Sequence, residues 1–323
     1  MRRCLVLLAV MLTTSGCFIS LGDSFLMRRP RQLREITIEG EGRNRVLLVD
    51  VSSVITDTPS RRAFGLVEEP STLARVEAEL RRAAKDDRVV ALVLRINSPG
   101  GGVTASDQLH TEIARFKEKR GVPVVAALGD LATSGGYYVA CAADRIIAHP
   151  TTVTGSIGVI LMNLDVEGLL GKIGVRSETY KAGEHKDMLS PFRGPTPEER
   201  KMIQSILDAM HGRFVTVVRT SRPGIEDTKL AEATDGRVFD ASQAVALGLV
   251  DEIGDLHHAL DAAKSMAGVD EARVVTYRPI GEVQETIHSR SGGLPTQVNL
   301  LPVDVGLPPG GGPRFMYLWA PGL

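Results

Sequence analysis

Apolar residues fall along this chain in short unbroken runs separated by amphipathic stretches. Val46–Val51, Val89–Ile96 and Val122–Leu128 are the plainest runs. Continuous apolar segments of this length predict strands buried on both faces. Further strands are expected at Arg145–Ala148, Ile157–Leu161, Ser177–Lys181 and Arg273–Tyr277. Between the runs the period changes. Ser71–Ala84 carries Leu73, Val76 and Leu80 at helical spacing, and Thr104–Lys119 reads as a second helix. Other helices are expected at Tyr137–Ala143, Val166–Ile173, Ala241–Leu247 and Leu256–Met266. One more begins at Thr196-Pro197-Glu198-Glu199 and runs to about Arg219. Its start combines a capping threonine, a proline at the first position and a glutamate three residues after the cap. Strands alternating with helices predict an α/β fold around a parallel sheet.

Two glycine-rich stretches interrupt this pattern. Asn97–Gly102 (NSPGGG) reads as a sharp loop, with the structure of a simple turn, a phosphate cradle or part of an oxyanion hole. No Gly-Lys-Ser/Thr follows the glycines, which argues against the cradle. Gly129–Asp144 (GDLATSGGYYVACAAD) places Ser134 before two glycines at a helix entrance. Glycines there weaken a helix but leave backbone N–H groups open to another chain. Ser134 is therefore either a helix cap or a nucleophile whose oxyanion those N–H groups would hold.

A serine nucleophile needs a base. Of the seven histidines, His149 and His185 lie in loops, but the chain has no G-x-S-x-G elbow to support a Ser-His-Asp triad. The other solution is a neutral lysine, whose pKa of about 10.4 must fall roughly three units, worth about 4 kcal/mol. The chain has only nine lysines. Lys181 and Lys186 flank or enter the Gly/Pro-bounded loop Ala182–Pro195, and spacing does not choose between them.

Composition narrows the class without choosing a function. With 323 residues, 43% hydrophobic and 24% charged, the chain is an ordinary globular protein. A net charge of −1 gives no electrostatic reason for a nucleic acid partner. Met1-Arg2-Arg3, the apolar Cys4–Leu12 and the following Thr13–Cys17 read as an export signal over residues 1–17. Three outcomes fit it: lipidation at Cys17, an uncleaved short anchor, or simple secretion. All deliver the domain outside the cytoplasm. Cys141 is then the one cysteine of the mature domain and reads as a packing residue. Residues 18–45 read as a tether and residues 281–323 as a Gly/Pro-rich tail ending in the apolar Phe315–Trp319. That apolar end is expected to dock on a neighbouring subunit.

Four segments in order, NSPGGG at 97–102, ATSGGYYVACAAD at 132–144, TGSIGVI at 154–160 and AGEHKDMLSPFRGPTPEE at 182–199, together resemble the signal peptide peptidase A family. The likeness spans roughly residues 46–280, and the closing PRFMYLW at 313–319 also resembles that family's end. The resemblance implies a Clp-protease/crotonase-like α/β fold with a parallel-sheet core and repeated βα units, assembled as a ring-like homo-oligomer. It implies Ser134 as nucleophile, Lys186 as general base, and backbone N–H groups of Gly135 and of Gly101 or Gly102 as the oxyanion hole. It further implies that Ser156 supports the lysine and that no metal or cofactor is required. The expected partners are peptides, signal peptides or other apolar segments, met at the outer face of a bacterial membrane. The rival readings are a crotonase-like acyl-CoA hydratase or isomerase and a non-catalytic scaffold of the same fold. An export signal argues against CoA chemistry, and the presence of both Ser134 and Lys186 argues against the scaffold.

Overall fold

The computed structural model describes residues 32–62, 67–280, 284, 286–289 and 315–319. The export signal, with Cys17, lies outside the described residues. Among the described residues, no helix is long and apolar enough to cross a membrane.

A nine-stranded sheet forms the centre. Its main path runs Leu33–Glu39, Arg273–Pro279, Arg45–Ser52, Val89–Ser98, Val124–Thr133, Arg145–Ala148 and Glu252–Ile253. All neighbours on this path are parallel except the first pair. The apolar runs are unbroken because alternate residues enter different cores. Leu47, Val49, Leu92, Leu94, Val124 and Ala126 face one cluster. Val46, Leu48, Ala91, Val93, Val125 and Ala127 face the other. The first face is covered by helices Thr72–Ala83, Val103–Arg120 and Gly135–Ala140, the second by Leu256–Met266. The α/β class with its parallel core is therefore as expected.

One ionic group is sealed beside the sheet. Asp50 accepts from Arg95 Nε at 2.5 Å and pairs with Arg278, which also donates to Glu79 Oε1 at 3.1 Å. Burial pushes the Glu79 carboxyl above its ordinary range.

Several expectations are corrected. Leu33–Glu39, read as part of the tether, is a strand, antiparallel to Arg273–Pro279. Its alternation of charged and apolar residues suits an edge strand with one solvated face. Ser177–Lys181 forms no strand, since this exposed stretch meets no strand edge to complete its hydrogen bonds. Glycines 100–102 form a short strand instead of a free loop. Their partner is the far end of the chain: Phe315–Leu318 pairs antiparallel with them on one side and with Ile160–Leu161 on the other. The apolar end thus docks on its own chain.

Candidate active site

Ser134 terminates the central strand Val124–Thr133 and opens the helix Gly135–Ala140. Its backbone sits at φ 53°, ψ −118°, a conformation that non-glycine residues seldom adopt. The strain is held by two bonds: its N–H donates to Gly155 O at 2.7 Å and its carbonyl accepts from Tyr138 N at 2.9 Å. Its side chain does not cap the helix. The residue is 1% exposed, and Oγ has no hydrogen-bond partner among the described residues. A buried hydroxyl without a partner among the described residues, at a strained strand-to-helix corner, does not act as a helix cap.

The glycine strand lies alongside. Gly102 N donates to Ile55 O at 3.0 Å, and Gly100 N to Ser98 Oγ at 3.1 Å. The Gly102 amide is thus turned to the Ile55 side of the strand, whereas Gly101 pairs with Tyr317 on the other side. A Cβ on Gly135 would stand 3.1 Å from both Gly101 N and Tyr317 O, and would overlap Ser106 Oγ. The pairing register sets Tyr317 opposite Gly101. An extended segment of chain thus crosses the site with a carbonyl oxygen among the two candidate amides. The Tyr317 ring is buried, stacked on Tyr138 with centroids 5.2 Å apart and set 4.7 Å from Phe214, and its hydroxyl donates to Met210 O at 2.8 Å.

The basic candidates separate as well. Lys181 Nζ donates to the Asp187 carboxylate at 2.6 Å and is thereby engaged in an ion pair. His149 Nδ1 contacts Thr151 Oγ1 at 2.8 Å, and His185 Nδ1 lies 3.9 Å from Glu199. Lys186 is exposed and its amine has no ion pair among the described residues. Among the described residues nothing bonds to Ser134 Oγ, so Lys186 makes no hydrogen bond to the serine within the single chain. Ser156, at φ 51°, follows Gly155 directly and is thereby placed beside the nucleophile corner. Tyr137 is a core residue, donating from its hydroxyl to Leu249 O at 2.7 Å.

Three features escaped the sequence reading. Ser106 and Thr133 are buried with hydroxyls that have no partner among the described residues, and Gly155 anchors Ser134. Ser106 did leave a signal, as a hydroxyl within an otherwise apolar helix stripe.

This geometry meets the comparisons with known proteins. Residues 116–270 match the model for peptidase family S49. A putative signal peptide peptidase SppA from Enterococcus faecium is 38% identical over 248 residues, covering 76% of this chain and 71% of that protein. The chain belongs to this family. It is a serine peptidase, which displaces the acyl-CoA and scaffold readings. A putative protease of Synechocystis is 36% identical over 67% of this chain and 79% of its own length. Among solved structures, the N165D mutant of ClpP1 from Listeria monocytogenes aligns at 17% identity with a TM-score of 0.43, covering 66% of this chain and 94% of that one.

Proposed function

We propose that the chain is an endopeptidase with a Ser134/Lys186 dyad, cleaving signal peptides or other apolar peptides at the outer face of the membrane. The observation that carries this is the strained, buried Ser134, whose hydroxyl has no partner among the described residues and which is followed by Gly135, packed against the Gly101 amide where an extended segment already crosses. A substrate would add as a strand to the glycine strand, its main chain held by ladder bonds and its side chains by flanking pockets. The aromatic box of Tyr138 and Phe214 suits a large apolar side chain there.

Ser134 Oγ attacks the scissile carbonyl carbon while Lys186 Nζ takes its proton. Gly135 and Gly101 N–H groups hold the oxyanion. Collapse passes the proton from Lys186 to the leaving amine and leaves an acyl-serine. Water, deprotonated by the same lysine, then releases the acid.

A second copy of the chain delivers the lysine. Lys186 belongs to a stretch that exposes Leu164, Ile173 and Tyr180 to 60%, 63% and 88%. Large exposed apolar side chains recurring along one stretch of chain suit an interaction surface. This agrees with a ring-like homo-oligomer. The N-terminal segment would keep the assembly at the membrane, through a lipid on Cys17 or through residues 4–12.

The test is hydrolysis of an unfolded protein and of an apolar peptide by wild type, Ser134→Ala and Lys186→Ala. Both variants are expected to be folded and inactive, and mixing them after dissociation should restore activity. Activity retained by Lys186→Ala would remove that lysine from the mechanism. Inactive mixtures that nevertheless reassemble would return the dyad to a single chain.

A further inference from the structure

We infer that the Ser106 hydroxyl is a third hydrogen-bond donor to the carbonyl oxygen at the cleaved position, beside the amides of Gly135 and Gly101. This rests on the peptidase reading above. Ser106 lies in the helix Val103–Arg120, whose buried residues are Ala105, Ser106, Leu109, Ile113 and Phe116. The side chain is fully buried, and Oγ has no hydrogen-bond partner among the described residues. A serine within a helix commonly satisfies itself on the carbonyl four residues earlier; this one does not. Leaving a buried hydroxyl unpaired costs about 1–3 kcal/mol, and alanine would fill a purely packing role without that cost.

The position of Ser106 says what would satisfy it. Its Oγ lies 2.4 Å from where a Cβ on Gly135 would stand, and that Cβ position is 3.1 Å from Gly101 N and from Tyr317 O, although the hydroxyl makes no bond to the Tyr317 oxygen. Hydroxyl, amide and the carbonyl oxygen of the crossing strand thus converge beside the residue that follows Ser134. Any side chain at position 135 would displace the hydroxyl, which gives that glycine a second reason beyond access to its own N–H. During acyl transfer the Ser106 proton stays on Ser106. Its hydrogen bond strengthens as the carbonyl becomes an oxyanion and relaxes as the intermediate collapses, so no proton or bond is left unaccounted for.

Full-length wild type, Ser106→Ala and Ser106→Cys are compared in peptide hydrolysis and in binding two inhibitors. A peptide aldehyde forms a hemiacetal oxyanion with Ser134; the matching peptide alcohol forms none. Ser106→Ala should lower kcat roughly ten- to hundredfold, leave KM near wild type and weaken the aldehyde by a similar factor. Affinity for the alcohol should not change, and Tm should hold or rise, since only an unpartnered oxygen is removed. Ser106→Cys, with its weaker donor, should fall between. Wild-type kcat and aldehyde affinity in Ser106→Ala would overturn the inference, as would equal weakening of both inhibitors with a lowered Tm. A wild-type chain that neither hydrolyses peptide nor captures the aldehyde would instead overturn the peptidase reading, and this inference with it.

Discussion

The N–H of Ser134 donates to the carbonyl of Gly155 at 2.7 Å, which makes the candidate nucleophile and the TGSIG turn one hydrogen-bonded unit. The parallel pairing of Thr133 with Gly155 brings the two segments together, and Ser156 follows at once. The unusual φ of Ser134 is therefore held by a neighbouring strand as well as by its own helix.

Gly155→Ala tests that support. Gly155 has φ +88°, and a Cβ there would stand 2.7 Å from the Phe239 ring and 2.9 Å from Arg237 O. Strain and overpacking of this kind cost about 1–3 kcal/mol each. The variant should lose several degrees of Tm and most of kcat, because the Ser134 corner moves with the turn. A folded variant with wild-type kcat would show that Ser134 does not depend on Gly155.

The buried ionic group makes a prediction about stability alone. Asp50, Glu79 and Arg278 are each almost fully buried, and Arg278 bridges the two carboxylates. Arg278→Met would leave both carboxylates short of positive charge, at about 3–5 kcal/mol. Adding Glu79→Gln should recover part of the loss, since burial already pushes that carboxyl above its ordinary range. Denaturant unfolding of both variants checks this. An Arg278→Met midpoint equal to wild type would remove the group from the stability of the fold.

How much of this could be read from the chain follows from where each residue's partners lie. Val46–Val51, Val89–Ile96 and Val122–Leu128 were legible because both sheet faces are buried, so nearly every position is apolar, Asp50 and Arg95 being the charged exceptions. The glycine strand was not, because the residues it pairs with, Phe315–Leu318, lie near the other end of the chain. Ser134 stood out by its glycine context, yet setting aside the cap reading needed the observation that Oγ caps nothing. Gly101 and Gly102 were equivalent in sequence; only the bond from Gly102 to Ile55 separates them. Lys181 and Lys186 were likewise equivalent until Asp187 paired with the first.

The strand Phe315–Leu318 lies where a substrate strand would add, so it should compete with substrate. Deleting residues 315–323 should raise kcat/KM on short peptides severalfold by lowering KM. Tyr317→Ala should act in the same direction, since loss of a buried aromatic side chain costs about 3–5 kcal/mol of docking. Peptide hydrolysis by the two variants beside wild type is the measurement. Unchanged or lower kcat/KM in both would mean that the strand belongs to the working site instead of blocking it.

The segment that carries Lys186 should loosen in acid. Arg193 donates to the Glu199 carboxylate at 2.6 and 2.8 Å and to Asp187 at 2.7 and 2.8 Å, while Thr196 N donates to Glu199 at 2.9 Å. Arg193 first and the Thr196 N–H second pull the Glu199 carboxyl down to about 2 from its ordinary 4.5. A carboxyl lowered on folding stabilises the native arrangement above its unfolded value and loses that contribution as pH falls through the folded one. Here the contribution is complete above about pH 4.5 and fades toward pH 2. Hydrogen exchange of residues 182–195, corrected for intrinsic rates, should therefore show protection falling across that window in wild type. Glu199→Gln should exchange faster at pH 7 and lose less protection than wild type between pH 4.5 and 2, the remaining loss belonging to Asp187, whose carboxyl Arg193 and then Lys181 also hold low. A wild-type profile that is flat there, with Glu199→Gln indistinguishable from it, would mean that the Arg193 bridge does not hold the lysine loop.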